Sequence, residues 1–256
     1  MKRSIKSLIG FTIGATDGEI GKVKEFFFDD KSWMVRYVVV ETGSWLNGRK
    51  VLLSPQALLT PDWENGVFPV DLCKEKIRNS PDIDTEQTVS RQHEIEMYEY
   101  YPWTKYWGGG IWGGGMDVSG LMSEVHEPLI ELAGNNSGTD TKDADGDPHL
   151  RSTRSVTGYA IRATDGKIGN VADFIIDDHT WSLHFIVGDT GHWFPGKQVL
   201  IFPGLIEKIE WDTSEVILNV TELDVKESPE YEPLEISETY QASLQHYYAD
   251  LIEDIY

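Results

Sequence analysis

The sequence predicts a mainly β protein made of two copies of one small barrel or sandwich, each copy followed by a helix. Three observations predict it. The chain has 256 residues, enough for two cores of roughly 100 residues each. Sliding it along itself by 148 residues aligns GFTIGATDGEIGKVKEFFFDDKSW, from Gly10, with GYAIRATDGKIGNVADFIIDDHTW, from Gly158, without a gap, and 21 of the 46 positions from Gly10 to Pro55 are identical. Such self-similarity marks a duplication. Within each copy, short aromatic and β-branched runs follow one another at close spacing with turn residues between them, the pattern of a small all-β fold.

The elements repeat in order. Ile20 to Phe28 and Ile168 to Ile176 read as strands, bounded by Asp17-Gly18 or Asp165-Gly166 on one side and by Asp29-Asp30 or Asp177-Asp178 on the other. Asp-Gly steps tolerate positive φ, and paired Asp side chains bond their own backbone two residues on, so both boundaries predict hairpin turns. Val35, Tyr37 and Val39, matched by Leu183, Phe185 and Val187, alternate with other residues and predict a half-buried strand. Further strands are expected at Val51 to Leu53 and around Leu58 to Thr60. A closing strand carries Phe68, Val70 and Leu72, or Val216, Leu218 and Val220, on one face. Pro69 has no amide hydrogen to donate and should mark an edge or bulge. Each copy ends in a helix candidate: Val89, His93, Met97, Tyr100 and Tyr101 form one stripe, and Ile236, Tyr240, Leu244, Tyr247, Tyr248 and Leu251 the other. Helices this short are marginal in water, so each stripe should cap a barrel, its own or its neighbour's.

These copies set the expected domains: repeat 1 over residues 1–101, a linker over 102–150, and repeat 2 over 151–256. The linker opens with PWTKYWGGGIWGGGMD and continues into the polar stretch GNNSGTDTKDADGDP, which reads as flexible. Formal charges are −3, −6 and −12 along the three segments, from 13 basic and 16 acidic, 2 and 8, and 7 and 19 side chains. Either the two surfaces have taken on different work or the second copy has drifted.

Composition excludes several classes of function. A net charge of −21 repels a phosphate backbone, so nucleic acid is not an expected partner. Apolar residues at 40% rule out wholesale disorder. The single cysteine, Cys73, makes no internal disulfide and no thiolate metal cage. No run reaches the roughly 18 apolar residues of a membrane span, and the N-terminal stretch lacks the pattern of a signal peptide. The expected location is therefore cytoplasmic, with any membrane association peripheral or through a partner.

The motif G-x-x-I-x-A-T-D-G-x-I-G-x-V, then D-D-x-x-W, then T-G-x-W-x-x-G-x-x-V-L-x-x-P, is carried by Gly10, Ile13, Asp17, Gly18, Gly21, Asp29, Asp30, Trp33, Thr42, Gly43, Trp45, Gly48 and Pro55. It recurs at every fixed position in the second copy. In both copies the chain resembles the PRC-barrel family, named from the cytoplasmic domain of the photosynthetic reaction-centre H subunit and shared with the C-terminal domain of a ribosome-maturation factor. It looks like bacterial tandem PRC-barrel proteins in particular. The resemblance implies six-stranded β-barrels acting as non-catalytic adaptors that bind protein, alone or as a homodimer, without cofactors. It also implies an alternative, an accessory subunit beside a membrane electron-transfer complex, with surface carboxylates assisting proton transfer. The chain lacks the H subunit's membrane-spanning N-terminal helix and the ribosome factor's partner domain.

A catalytic or metal site shared by both copies should repeat its ligands, and none does. His179, His184 and His192 stand opposite Lys31, Arg36 and Ser44, and Cys73 opposite Thr221. No catalytic, cofactor or metal residues are therefore assigned. The segment Asp143-Ala144-Asp145-Gly146-Asp147 is similar to a calcium loop but places Pro148 where the turn glycine belongs, so solvated linker is the stronger reading. The carboxylates Asp17, Asp29 and Asp30, with Asp165, Asp177 and Asp178, are candidates for a proton relay, although turn formation explains them more cheaply. Trp33 and Trp181 are expected in the core. Trp45 and Trp193 lie between loop glycines and are candidate interface anchors. Trp103, Trp107 and Trp112 either fold back as a plug or dock onto a partner.

Overall fold

The computed structural model describes residues 1–81, 91–101, 103, 149–191, 197–231, 240, 242–244 and 246–248. The first repeat runs β1 (Lys2–Ser4), α1 (Ile5–Leu8), β2 (Thr12–Ala15), β3 (Gly18–Asp29), β4 (Val35–Thr42), β5 (Lys50–Leu53), β6 (Val67–Pro69), α2 (Lys74–Arg78) and α3 (Arg91–Tyr100). The second runs β7 (Leu150–Ser152), α4 (Thr153–Val156), β8 (Ala160–Arg162), β9 (Lys167–Asp177), β10 (Leu183–Asp189), β11 (Gln198–Ile201), β12 (Ile206–Glu210), β13 (Glu215–Leu218) and α5 (Glu222–Glu227). The order is the same in both.

Each repeat is organised by one long strand, β3 with 12 residues and β9 with 11. Along one edge β3 pairs with β4, and β9 with β10. Each of these ladders slips register in its middle, at Val23/Glu25 in the first and Val187/Gly188 in the second, and a bulge of this kind bends and twists its strand. Along the other edge the start of β3 pairs with β2, and the start of β9 with β8. The far ends are completed crosswise. β1 of the first repeat pairs with β9 of the second, Lys2 opposite Asp177, while β7 of the second pairs with β3 of the first, Phe28 opposite Arg151. The two repeats have exchanged their opening strands.

No strand is expected from the sequence at β1 or β7, and nothing in its periodicity marks the crossing. The result is a six-stranded and a seven-stranded sheet. The expected strand number is met in the first, but one strand is borrowed. Among the described residues no ladder closes either sheet into a ring. The strand expected around Leu58 to Thr60 is only a bridge, Leu58 to Val70, in the first repeat, whereas the second forms β12 against β13 there. Pro69 is the last residue of β6.

Each borrowed strand leads into one helical turn, capped by a serine. Ser4 accepts the amide of Ser7, and Ser152 accepts those of Arg154 and Ser155. The same hydroxyls donate across the exchange, Ser4 to the Asp173 carboxylate and Ser152 to Glu25. Cap and latch are thus one residue. Burial raises the carboxyl pKa of Asp173, a shift that its bonds to Ser4 and to the Phe174 and Lys6 amides moderate.

Both faces of the central strands are covered, which corrects the expectation of a half-buried strand. Val38 and Val40 of β4 face the main core with Phe26, Phe28, Leu53 and Phe68. Tyr37 and Val39 face outward with Phe27, Leu52 and Leu150, and α3 lays Met97, Tyr98 and Tyr101 over them. The helix thus finds the surface that a lone amphipathic segment needs. Beneath it the Tyr37 hydroxyl donates to the buried Glu94 at 2.9 Å. In the second repeat Tyr240, 242–244 and 246–248 are helical. There Leu244 and Tyr248 join the core, and the Tyr248 hydroxyl donates to the Leu200 carbonyl.

Compensating residues appear where the halves differ. Lys2 pairs with Asp177 at 3.1 Å. In the mirror position Leu150 replaces Lys2, and the cation beside Asp29 is Arg36, at 3.8 Å. His184 takes the place of Arg36 in the second repeat, buried and already near Lys2. Burial, and secondly the Lys2 charge, lower its pKa to about 4 from the ordinary 6.5. Between those values the unfolded chain binds the extra proton and the folded one does not, so stability falls as pH drops from about 6.5 towards 4. The loss reaches about 3 kcal/mol at the acid end. Denaturant titrations at several pH values should give a shallower decline over this window in His184→Gln than in the parent.

Candidate interaction surface

The turn between β3 and β4 places Trp33 at φ 56°, and the turn between β9 and β10 places Trp181 at φ 58°. A bulky side chain in this region costs about 1–2 kcal/mol, so something must hold it there. The two turn ends meet. Leu183 donates its amide to the Trp33 carbonyl at 2.7 Å, Val35 donates to that of Trp181 at 2.8 Å, and Met34 bridges Ser182. Both rings turn inward. Trp181 lies against Phe26 and Phe68 of the other repeat, at 6.1 and 5.8 Å between centroids, and Trp33 stacks on Phe28 at 5.5 Å. Trp33 is buried and Trp181 half-buried.

The candidate carboxylates do two kinds of work, and Asp29, Asp30, Asp177 and Asp178 do theirs at this junction. Asp29 accepts the amides of Lys31 and Ser32, and Asp177 those of His179 and Thr180. Asp17 accepts the amide of Lys74 at the start of α2, and Asp165 that of Glu222 at the start of α5, both at 2.8 Å. Asp30 and Asp178 instead hold the borrowed strands. Arg3 bonds Asp178 at 2.6 Å while its guanidinium lies 3.4 Å over the Trp63 ring. Arg151 bonds Asp30 at 2.9 Å and lies 3.7 Å over Trp211. Each arginine is therefore clamped between a carboxylate of the other repeat and a tryptophan of its own.

Burial opposes ionisation of Asp177, but the Thr180 and His179 amides and the Lys2 ammonium outweigh it and hold the carboxyl below its ordinary value. For Asp178 burial is likewise outweighed, by the N-terminal ammonium and Arg3. Groups held ionised in this way accept hydrogen bonds and do not pass protons near neutral pH. Among the described residues no three His, Cys, Asp or Glu side chains are grouped to hold a metal ion.

Trp45 sits in a helical turn, Ser44–Leu46, between Gly43 and Gly48. It is half-buried rather than freely exposed. Its indole nitrogen donates to the Ile20 carbonyl at 2.5 Å, and Lys74 and Arg78 lie 5.6 and 5.7 Å from its ring centroid. Trp103 follows α3, half-buried, stacked on Tyr101 at 4.1 Å and edge-on to Tyr98 at 5.9 Å. Trp193, Trp107 and Trp112 lie outside the described residues, as does most of the linker.

Sequence reasoning missed the arginine clamps and the serine latches. A signal was present: at the 148-residue offset Arg3, Ser4 and Ser7 match Arg151, Ser152 and Ser155 ahead of the main repeat block.

The geometry is that of a duplicated β module whose halves complete one another around a shared core. Residues 2–74, within the first repeat, match the family model of the PRC-barrel domain. No curated protein matches the chain. Among the described residues no helix is long and apolar enough to cross a membrane.

Proposed function

We propose that the protein is a non-catalytic, cytoplasmic adaptor that binds another protein through the Trp45 loop of its first repeat. The observation that supports this is an aromatic ring fixed in place and still half exposed, with two basic side chains beside it. Tryptophan and arginine are the residue types that dominate binding energy at protein interfaces. The second repeat has Glu222 and Lys226 where the first has Lys74 and Arg78, so the two loops present different charge and the first suits an acidic partner. The alternative, proton transfer beside a membrane electron-transfer complex, has less support, because its candidate carboxylates are engaged in turns and clamps.

Replacing Trp45 with Ala tests the reading. The expected cost in stability is about 1–2 kcal/mol, below the ~3–5 of a fully buried tryptophan, together with loss of the partner in affinity capture from cell extract. A stability loss at the core level with partner capture intact would assign Trp45 to packing. Recovery of the untagged protein with membranes would favour the alternative.

A further inference from the structure

A cleft of about 860 Å³ opens where the second repeat's turn meets the first sheet. Its lining includes the apolar side chains of Leu58, Leu59 and Pro61. Arg36 and Arg3 line it as well, with Asp178 as the carboxylate among them. Asp178 is already committed to Arg3. Arg36 is anchored by the Ser32 hydroxyl at 2.8 Å and stands 3.8 Å from Asp29, its side chain only 11% exposed. A guanidinium so shielded from water acts on a nearby charge more strongly than one at an open surface.

The corresponding place in the second repeat has lost these features. Phe202 replaces Ser54 and Gly204 replaces Gln56, and the Phe202 ring lies where any side chain at Gly204 would collide with it, 2.8 Å from an added Cβ. His184 replaces Arg36, and Glu207 replaces Leu59. The second repeat has an aromatic ring and a carboxylate where the first has small polar groups, an apolar side chain and a guanidinium.

We propose that the cleft is a binding site for a compact organic anion, its apolar body resting on Leu58, Leu59 and Pro61 and its acidic group meeting Arg36. The volume is that of an ordinary small-molecule site at a junction between domains. The proposal is independent of the adaptor reading, since the cleft and the Trp45 loop use different residues.

The test titrates the full chain with the fluorescent anion anilinonaphthalene sulfonate and with its uncharged analogue phenylnaphthylamine. Saturable one-site binding is expected for the anion, with the uncharged dye about tenfold weaker or worse. Leu59→Glu and Arg36→Gln should each weaken the anion about tenfold or more, and Leu223→Glu, on α5 away from the cleft, should leave it unchanged. Leu59 is 51% exposed, so its replacement keeps the fold and the test stands even if Arg36→Gln unfolds; melting curves of each variant check this. Non-saturable binding, equal affinity for the uncharged dye, or unaltered affinity in Leu59→Glu would each overturn the proposal.

Discussion

Trp181→Ala should lower the unfolding free energy by about 3 kcal/mol, the low end for removing a tryptophan from a core because this ring is half-buried. Its particular signature is that the damage falls on the other repeat, since the ring rests on Phe26 and Phe68. Trp181→Gly loses the same packing but removes the Cβ that strains the φ of 58°. It should therefore be more stable than the alanine variant by about 1 kcal/mol. Denaturant unfolding followed by far-ultraviolet circular dichroism and by tryptophan fluorescence checks both numbers. One coincident transition is expected from the two probes, because the main core contains side chains from both repeats. Two separate transitions would contradict a shared core.

Gly21→Ala and Gly169→Ala should each cost about 3 kcal/mol, the upper part of the range for overpacking. A Cβ at Gly21 would lie 2.0 Å from the Glu41 carbonyl oxygen, and one at Gly169 would lie 1.9 Å from that of Asp189. Both obstacles are backbone atoms of the neighbouring strand, held in their ladders, so no side-chain rotation relieves the clash. Thermal melts of the two single variants and the double variant would measure it. A loss below about 1 kcal/mol in both would mean that the strands separate there at little cost.

How much of this was legible in the sequence follows from what kind of force sets each feature. The long strands were legible because Ile20 to Phe28 and Ile168 to Ile176 combine β-branched and aromatic residues between turn signals, and those signals act locally. The turn roles of Asp29 and Asp177 were legible for the same reason, whereas Asp17 and Asp165 bond amides 57 residues on, which local signals do not show. The burial of Tyr37 and Val39 on the outer face was not, because the strand pattern records that a face is apolar without naming its cover. The exchange of β1 and β7 was hidden most deeply. Each borrowed strand meets the same chemistry in either sheet, Arg3 facing an Asp-Asp turn in both cases, so local sequence cannot distinguish its own partner from its neighbour's. The cleft arose only from assembly, since Arg36 and Leu59 are brought to one opening with Asp178 by the meeting of the two halves.

Crossing of the opening strands also dictates the order in which the protein can be made. Lys2 emerges from the ribosome 175 residues before the residue it pairs with. The first sheet likewise waits for Arg151 before its edge is covered. Neither half can finish while the other is untranslated, so assembly depends on distant contacts of the kind that slow folding and leave strand edges open meanwhile. At high expression a neighbouring nascent chain offers the identical segment, and interchain exchange becomes a competing route to intertwined dimers.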